Sequence, residues 1–170
     1  TSFSGDQLIT GSTSGQFGIT DFSGRPIEKI ADLNSSISSL CSSPDNQFII
    51  AGCQNGNVHL FGNKPLKLIR SFKDHHFPIT DIAISPKNER FATTGLDGKI
   101  NSYSLPSLKQ EWEIIARDHN VSFDSLEYNA LGTKLLTSGI GSAPKLLDAK
   151  PGNNIQLMKF PYLQIIKSRF

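Results

Sequence analysis

An internal repeat is the feature that most narrows what this chain can fold into. The segment "ITDIAISPKNERFATTGLDGKINSY" from Ile79 lies over "ISSLCSSPDNQFIIAGCQNGNVHLF" from Ile37 at an offset of 42 residues, with no gap. Ile37 falls on Ile79, Leu40 on Ile82, Pro44 on Pro86, Asn55-Gly56 on Asp97-Gly98, and Phe61 on Tyr103. Downstream, "DHNVSFDSLEYNALGTKLLTSGIGSAPKLLD" matches "DHHFPITDIAISPKNERFATTGLDGKINSYS" at an offset of 44, which puts Asp118-His119 on Asp74-His75 and Leu147 on Tyr103. Upstream, "QLITGSTSGQFGITD" matches "FIIAGCQNGNVHLFG" at an offset of 41, with Ser14-Gly15 at the turn. A repeat of this length is one supersecondary unit that cannot bury its apolar face alone and must stack on its neighbours.

Each unit reads as four short strands. An alternating run is followed by a Ser-Pro or polar turn, a more apolar run, a Gly-containing turn, a third run and a fourth. The fourth strands are "PIEKIA", "LKLIRSF", "EWEIIA" and "IQLMKF". No segment sustains a 3.6-residue apolar period, so little helix is expected. Frequent Gly (14) and Pro (9) point the same way, toward many turns.

A four-stranded unit of this period resembles the WD40 family of β-propellers. The residues that carry the resemblance are "DH" at the start of a unit, "SP" with "DN" or "KN" after the first strand, and "NG" or "DG" before the third. The Trp-Asp signature is absent; its positions read Thr20-Asp21, Phe61-Gly62, Tyr103-Ser104 and Leu147-Asp148. The fold class expected is all-β, an incomplete WD40-type propeller of about 3.75 blades belonging to a seven-bladed ring of about 300 residues. The divisions expected are 1–36 as a partial blade lacking its first strand, 37–78, 79–122 and 123–160 as blades, and 161–170 as the start of a next unit or a tail. The chain begins "TSFSGDQ" and is read as a piece of a longer polypeptide. The missing blades would come from the same polypeptide or a partner, because an arc leaves bare apolar faces on its end sheets.

The resemblance implies a buried hydrogen-bonded chain in the best-preserved unit: His75, Thr93, Asp97 and Tyr103, the phenol standing in for an indole N–H. It also implies a non-catalytic scaffold that binds protein subunits or peptides through loops at one edge of the blades. The contact positions carried over are Ser36, Ser38 and Gln54; Pro78, Thr80 and Leu96; Ser122, Asp124 and Ile140. An intracellular place, cytoplasmic or nuclear, is expected with it.

Other chemistry finds little footing. His75 and His76 lie near Asp74 and Asp81, but adjacent residues of an extended strand point to opposite faces and do not readily share a metal. "SGIGSAP" (138–144) lacks the Lys-Ser/Thr and the helix that a phosphate loop needs. No nucleophile arrangement emerges, so an enzyme with a site in the central channel is the weakest reading, and neither cofactor nor metal is expected. Cys41 and Cys53 have no metal spacing and read as free thiols. No apolar run approaches the roughly 20 residues of a membrane-spanning helix.

Charge is uneven. Residues 1–130 hold 11 Lys/Arg against 14 Asp/Glu; residues 131–170 hold Lys134, Lys145, Lys150, Lys159, Lys167 and Arg169 against Asp148 alone. The alternative function is therefore a ribonucleoprotein component whose basic end faces RNA. Against it, aromatic residues are not interleaved with the cations. Trp112, the lone tryptophan, is expected half exposed on an outer strand, where it could meet a partner.

Overall fold

A computed structural model of the protein describes residues 2–4, 7–105, 107–116, 121–150 and 156–157. They form four antiparallel sheets of four strands, each sheet built from consecutive strands in simple up-and-down order. The first sheet holds β1 (Ser2–Ser4), β2 (Gln7–Gly11), β3 (Gln16–Thr20) and β4 (Pro26–Asp32). The second holds β5 (Ile37–Ser42), β6 (Phe48–Cys53), β7 (Asn57–Asn63) and β8 (Leu66–Lys73). The third holds β9 (Ile79–Ile84), β10 (Arg90–Gly95), β11 (Lys99–Ser104) and β12 (Gln110–Ile115); the fourth holds β13 (Ser125–Tyr128), β14 (Lys134–Gly139), β15 (Ser142–Asp148) and β16 (Gln156–Leu157). The repeat in the sequence is thus a repeat of sheets.

One expectation is corrected here. The sequence pattern of the first repeat lacks a recognisable first strand, yet Ser2, Phe3 and Ser4 pair in register with Ile9, Leu8 and Gln7, and the sheet has four strands. Three residues are too few to show an alternation, and main-chain pairing needs none. The expected division 161–170 lies outside the described residues, as do Asp118 and His119.

The chain falls into two compact units, Thr1–Ile79 and Thr80–Phe170. In the first, Ile9, Phe17 and Ile19 of the first sheet pack with Ile49, Ala51, Cys53 and Phe61 of the second. The Phe17 and Phe61 rings lie 4.8 Å apart. The opposite face of the second sheet buries Ile50, Val58 and Leu60 just as fully, so this sheet is apolar on both sides. The first sheet is not. Alternation turns Leu8, Thr10, Gly18 and Thr20 away from the second sheet, and all four are only half-buried. A hollow of about 310 Å³ lies along Thr10, Gly18, Thr20 and Pro26. Of the described side chains on this expected bare apolar end face, Leu8 is aliphatic, whereas Thr10, Gly18 and Thr20 are small or carry hydroxyls.

In the second unit, Ala83, Ala92, Ile100 and Trp112 pack with Phe123, Leu126, Tyr128, Leu135 and Leu147. Polar ties reinforce this core. Asp81 accepts from the Ile82 N–H with Oδ1 and from the Leu126 N–H with Oδ2, each at 2.9 Å. Thr80 and Thr94 both donate their hydroxyls to the Phe123 carbonyl. Arg90, nearly buried, donates through Nε to Glu111 Oε2 at 3.0 Å.

Trp112 is the second correction. It is only 9% exposed, and its indole N–H donates to the Ala149 carbonyl at 3.2 Å. Even an outer strand has an inward face: Trp112 and Ile114 take it, while Glu111, Glu113 and Ile115 face outward.

The polar turns the sequence marked are built by their own side chains. Ser43 Oγ accepts from the N–H groups of Gln47 and Phe48, and Asn46 takes a left-handed φ of 56°. Asn88 takes φ 57° in the matching turn of the next repeat. In the fourth sheet Asn129 Oδ1 accepts from the N–H groups of Thr133 and Lys134. Side-chain acceptors of this kind stabilise a turn against continued strand.

Candidate protein-binding edge

At one edge of each of the first three sheets, the hairpin turn between the second and third strands meets the segment that leaves the fourth. A turn glycine holds that segment by its carbonyl: Gly15 accepts from the Leu33 N–H, Gly56 from the Asp74 and His75 N–H groups, and Gly98 from the Ala116 N–H, at 2.8–3.0 Å. In the fourth sheet the Ser122 N–H donates to the Ile140 carbonyl at 3.1 Å.

This geometry brings predicted contact residues together in pairs. The Gln54 N–H donates to the Ser36 carbonyl at 2.8 Å in the first unit. The Ser122–Ile140 bond does the same in the second, where Ser122 Oγ also donates to Asp124 Oδ1 at 2.9 Å. Gln54 and Ser38 are exposed, and Leu96 and Ile140 stand half in solvent, at 50% and 54%. Pro78 is half-buried. Three hydroxyls at this edge serve the fold: Ser38 donates to the Gly52 carbonyl, Ser122 to Asp124 and Thr80 to Phe123. Sequence reasoning missed Phe77. Its ring is 59% exposed, and its carbonyl lies 3.0 Å from where a Cβ on Gly56 would stand, which places it beside the turn. The signal was available: a large aromatic before a proline in a loop has no strand to bury it.

The residues of the implied hydrogen-bonded chain are divided. His75 is in the first unit, its Nε2 at 3.3 Å from Asp74 Oδ2, with both side chains fully buried. Thr93, Asp97 and Tyr103 are in the second. Thr93 is fully buried, and Tyr103 stacks on Phe91 with centroids 5.1 Å apart. Asp97 Oδ1 accepts from the Lys99 N–H at 3.2 Å, bracing its own turn. Reading the four as one chain rests on the registration of the sequence.

The described cations of the basic end each have a neighbour within the fold. Lys134 pairs with Asp148. Lys145 lies 4.6 Å over the Phe123 ring, and its burial lowers its pKa. Lys150 reaches Glu89 at 3.9 Å. Lys159, Lys167 and Arg169 lie outside the described residues. Cys41 and Cys53 are both thiols, not joined in a disulfide; the thiol of buried Cys53 is pushed up to about 11. Among the described residues no cluster of His, Cys, Asp or Glu could hold a metal, and no helix is long and apolar enough to cross a membrane.

Four-stranded antiparallel sheets repeating every 41 to 44 residues define a propeller-blade architecture. The family model for the WD domain, G-beta repeat, matches residues 26–61 and 66–104. Each match opens on an outer strand, β4 or β8, and runs to the third strand of the next sheet. These matches, together with the repeated four-stranded sheets, indicate a divergent WD40 repeat domain. Polyadenylation factor subunit 2 of Cryptococcus neoformans is 30% identical over 106 residues, covering 62% of this chain and 15% of that protein. Protein groucho of Drosophila melanogaster is 28% identical over 156 residues, covering 90% of this chain and 21% of its own length. The human U3 small nucleolar RNA-associated protein 4 homolog is 31% identical over 67 residues, 39% of this chain and 10% of that protein. The chain therefore spans about a fifth or less of each of these relatives.

Proposed function

We propose that the four sheets are blades of a seven-bladed ring, completed by the same polypeptide or by a partner, and that the ring is an intracellular scaffold within a multi-subunit complex. Its protein partners dock on the turn edge. The observation that carries this reading is the exposure of one large apolar side chain beside the turn in three successive repeats: Phe77, Leu96 and Ile140. Small and polar residues share these loops: Ser36, Ser38, Gln54 and Pro78 in the first unit, Ser122 and Asp124 in the second. An apolar anchor within a polar rim is the usual composition of a binding surface. Phe77→Asp, Leu96→Asp and Ile140→Asp would each remove partners recovered by quantitative cross-linking from cells. Leu131→Asp is the control, since Leu131 is 66% exposed on the polar turn between β13 and β14. Loss of partners through the control alone would reverse the assignment of the edge. The alternative, an RNA-facing basic end, has weaker support, because Lys134, Lys145 and Lys150 already have partners within the fold.

A further inference from the structure

The strand β8 differs from the equivalent outer strand β12 in a way the turn edge does not explain. It runs eight residues, "LKLIRSFK", and closes one side of its sheet. Six of those residues are exposed, including the aliphatic Leu68 and Ile69 at 46% and 51%. Its far side meets no described strand. The segment is also uniformly cationic. From Asn46 to Lys73 the sequence has Lys64, Lys67, Arg70 and Lys73 and not one Asp or Glu. Lys73 donates to the Asn55 carbonyl, and the Arg70 guanidinium lies 5.8 Å over the Phe72 ring. Among the described residues neither Lys67 nor Arg70 has a carboxylate partner. The equivalent strand β12 shows that this is not a requirement of the blade. There the exposed charges are Glu111 and Glu113, paired within the sheet to Arg90 and Lys99, and the central aromatic is buried.

An open strand edge is a template for another strand, and proteins guard such edges with cations and bulges. β8 has both, with a register shift that leaves Ile69 as the extra residue. Those guards act selectively. Two copies of β8 side by side would bring like charges opposite one another, which opposes self-pairing. A strand of opposite charge meets no such barrier. We infer that β8 is a docking edge for an acidic, extended segment of a partner protein, which adds to the second sheet as a fifth strand. Main-chain hydrogen bonds hold the added strand. Acidic side chains meet Lys67 and Arg70, and aliphatic ones cover Leu68 and Ile69. This surface is separate from the turn edge and does not depend on the reading of that edge.

The probe is a synthetic peptide of alternating Glu and Val, the length of β8, titrated into the chain by fluorescence anisotropy. Binding that weakens as salt rises is expected, together with a loss of about tenfold or more in the double variant Lys67→Glu, Arg70→Glu. That variant changes only exposed side chains, and far-UV circular dichroism checks that it folds. It should instead bind the matching peptide of alternating Lys and Val. A version of the acidic peptide N-methylated at every amide keeps its charge but loses its donors on both edges, and it should not bind. Equal binding of the N-methylated peptide would mean a charge contact without strand addition and would overturn the proposal. So would binding of the Lys–Val peptide by the unaltered chain. Self-association that the double variant abolishes would make a second copy the occupant and refute it as well.

Discussion

Gly56 tests whether turn and linker are locked as the repeat requires. It has φ +81°, and a Cβ added there would stand 2.1 Å from the His75 carbonyl oxygen and 2.8 Å from its carbon. Those atoms are main chain and cannot rotate aside. Gly56→Ala must therefore bear a left-handed backbone, at roughly 1–2 kcal/mol. It must also displace the 74–77 segment, giving up the Asp74 and His75 N–H bonds to the Gly56 carbonyl at about 1 kcal/mol each. The expected loss is about 3–4 kcal/mol, a large share of a domain stability of about 5–15 kcal/mol. Gly24 separates the two causes. It has nearly the same φ, +82°, with nothing within 4 Å of its added Cβ. Gly24→Ala should lose only the backbone part, about 1–2 kcal/mol. Urea unfolding followed by far-UV circular dichroism measures both. If Gly56→Ala is within about 1 kcal/mol of Gly24→Ala, the turn is not locked against the linker and the reasoning fails.

Asp81→Ala should lower stability by about 1–3 kcal/mol, because the Leu126 N–H loses its acceptor beside a buried side chain; thermal unfolding unchanged within about half a degree would remove Asp81 from the core's polar ties. Trp112, the sole tryptophan, should emit at short wavelength and resist iodide quenching in the folded chain, since it is 9% exposed; free quenching would place it on the surface after all. Cys53 should resist a thiol reagent near neutral pH until the chain unfolds, read by peptide mass spectrometry, and modification at the rate of half-buried Cys41 would contradict its burial. The same thiol gives a stability loss with a definite sign. Its folded value, about 11, lies above the ordinary 9.0, so the unfolded chain ionises first. Stability is intact below pH 9.0 and falls through the window up to about 11, by at most about 1.4 kcal/mol per pH unit. Cys53→Ala should flatten that slope.

The repeat was written in the order of residues, and so was the sheet. Gapless offsets, the Ser-Pro turns and the Asn-Gly and Asp-Gly hairpins are local signals, and a hairpin is a local structure. Sequence alone therefore determined that the chain is all-β, where the turns fall, and which residues sit beside them: Ser36 with Gln54, and Ser122 with Ile140. It could not determine what lies across a sheet face. Trp112 was read as half exposed because an outer strand has an open side; which side carried the indole depended on Ala149, in another repeat. Among the third sheet's ties to the fourth is Asp81 meeting the Leu126 N–H, 45 residues away, and no period encodes that. β1 was missed because three residues carry no alternation, although they pair once β2 is in place. The charge of β8 was in the sequence throughout, but spaced lysines mean nothing until a strand has an edge. Pairing along the chain follows from near neighbours; burial and exposure follow from what packs against each face, and only the tertiary structure decides that.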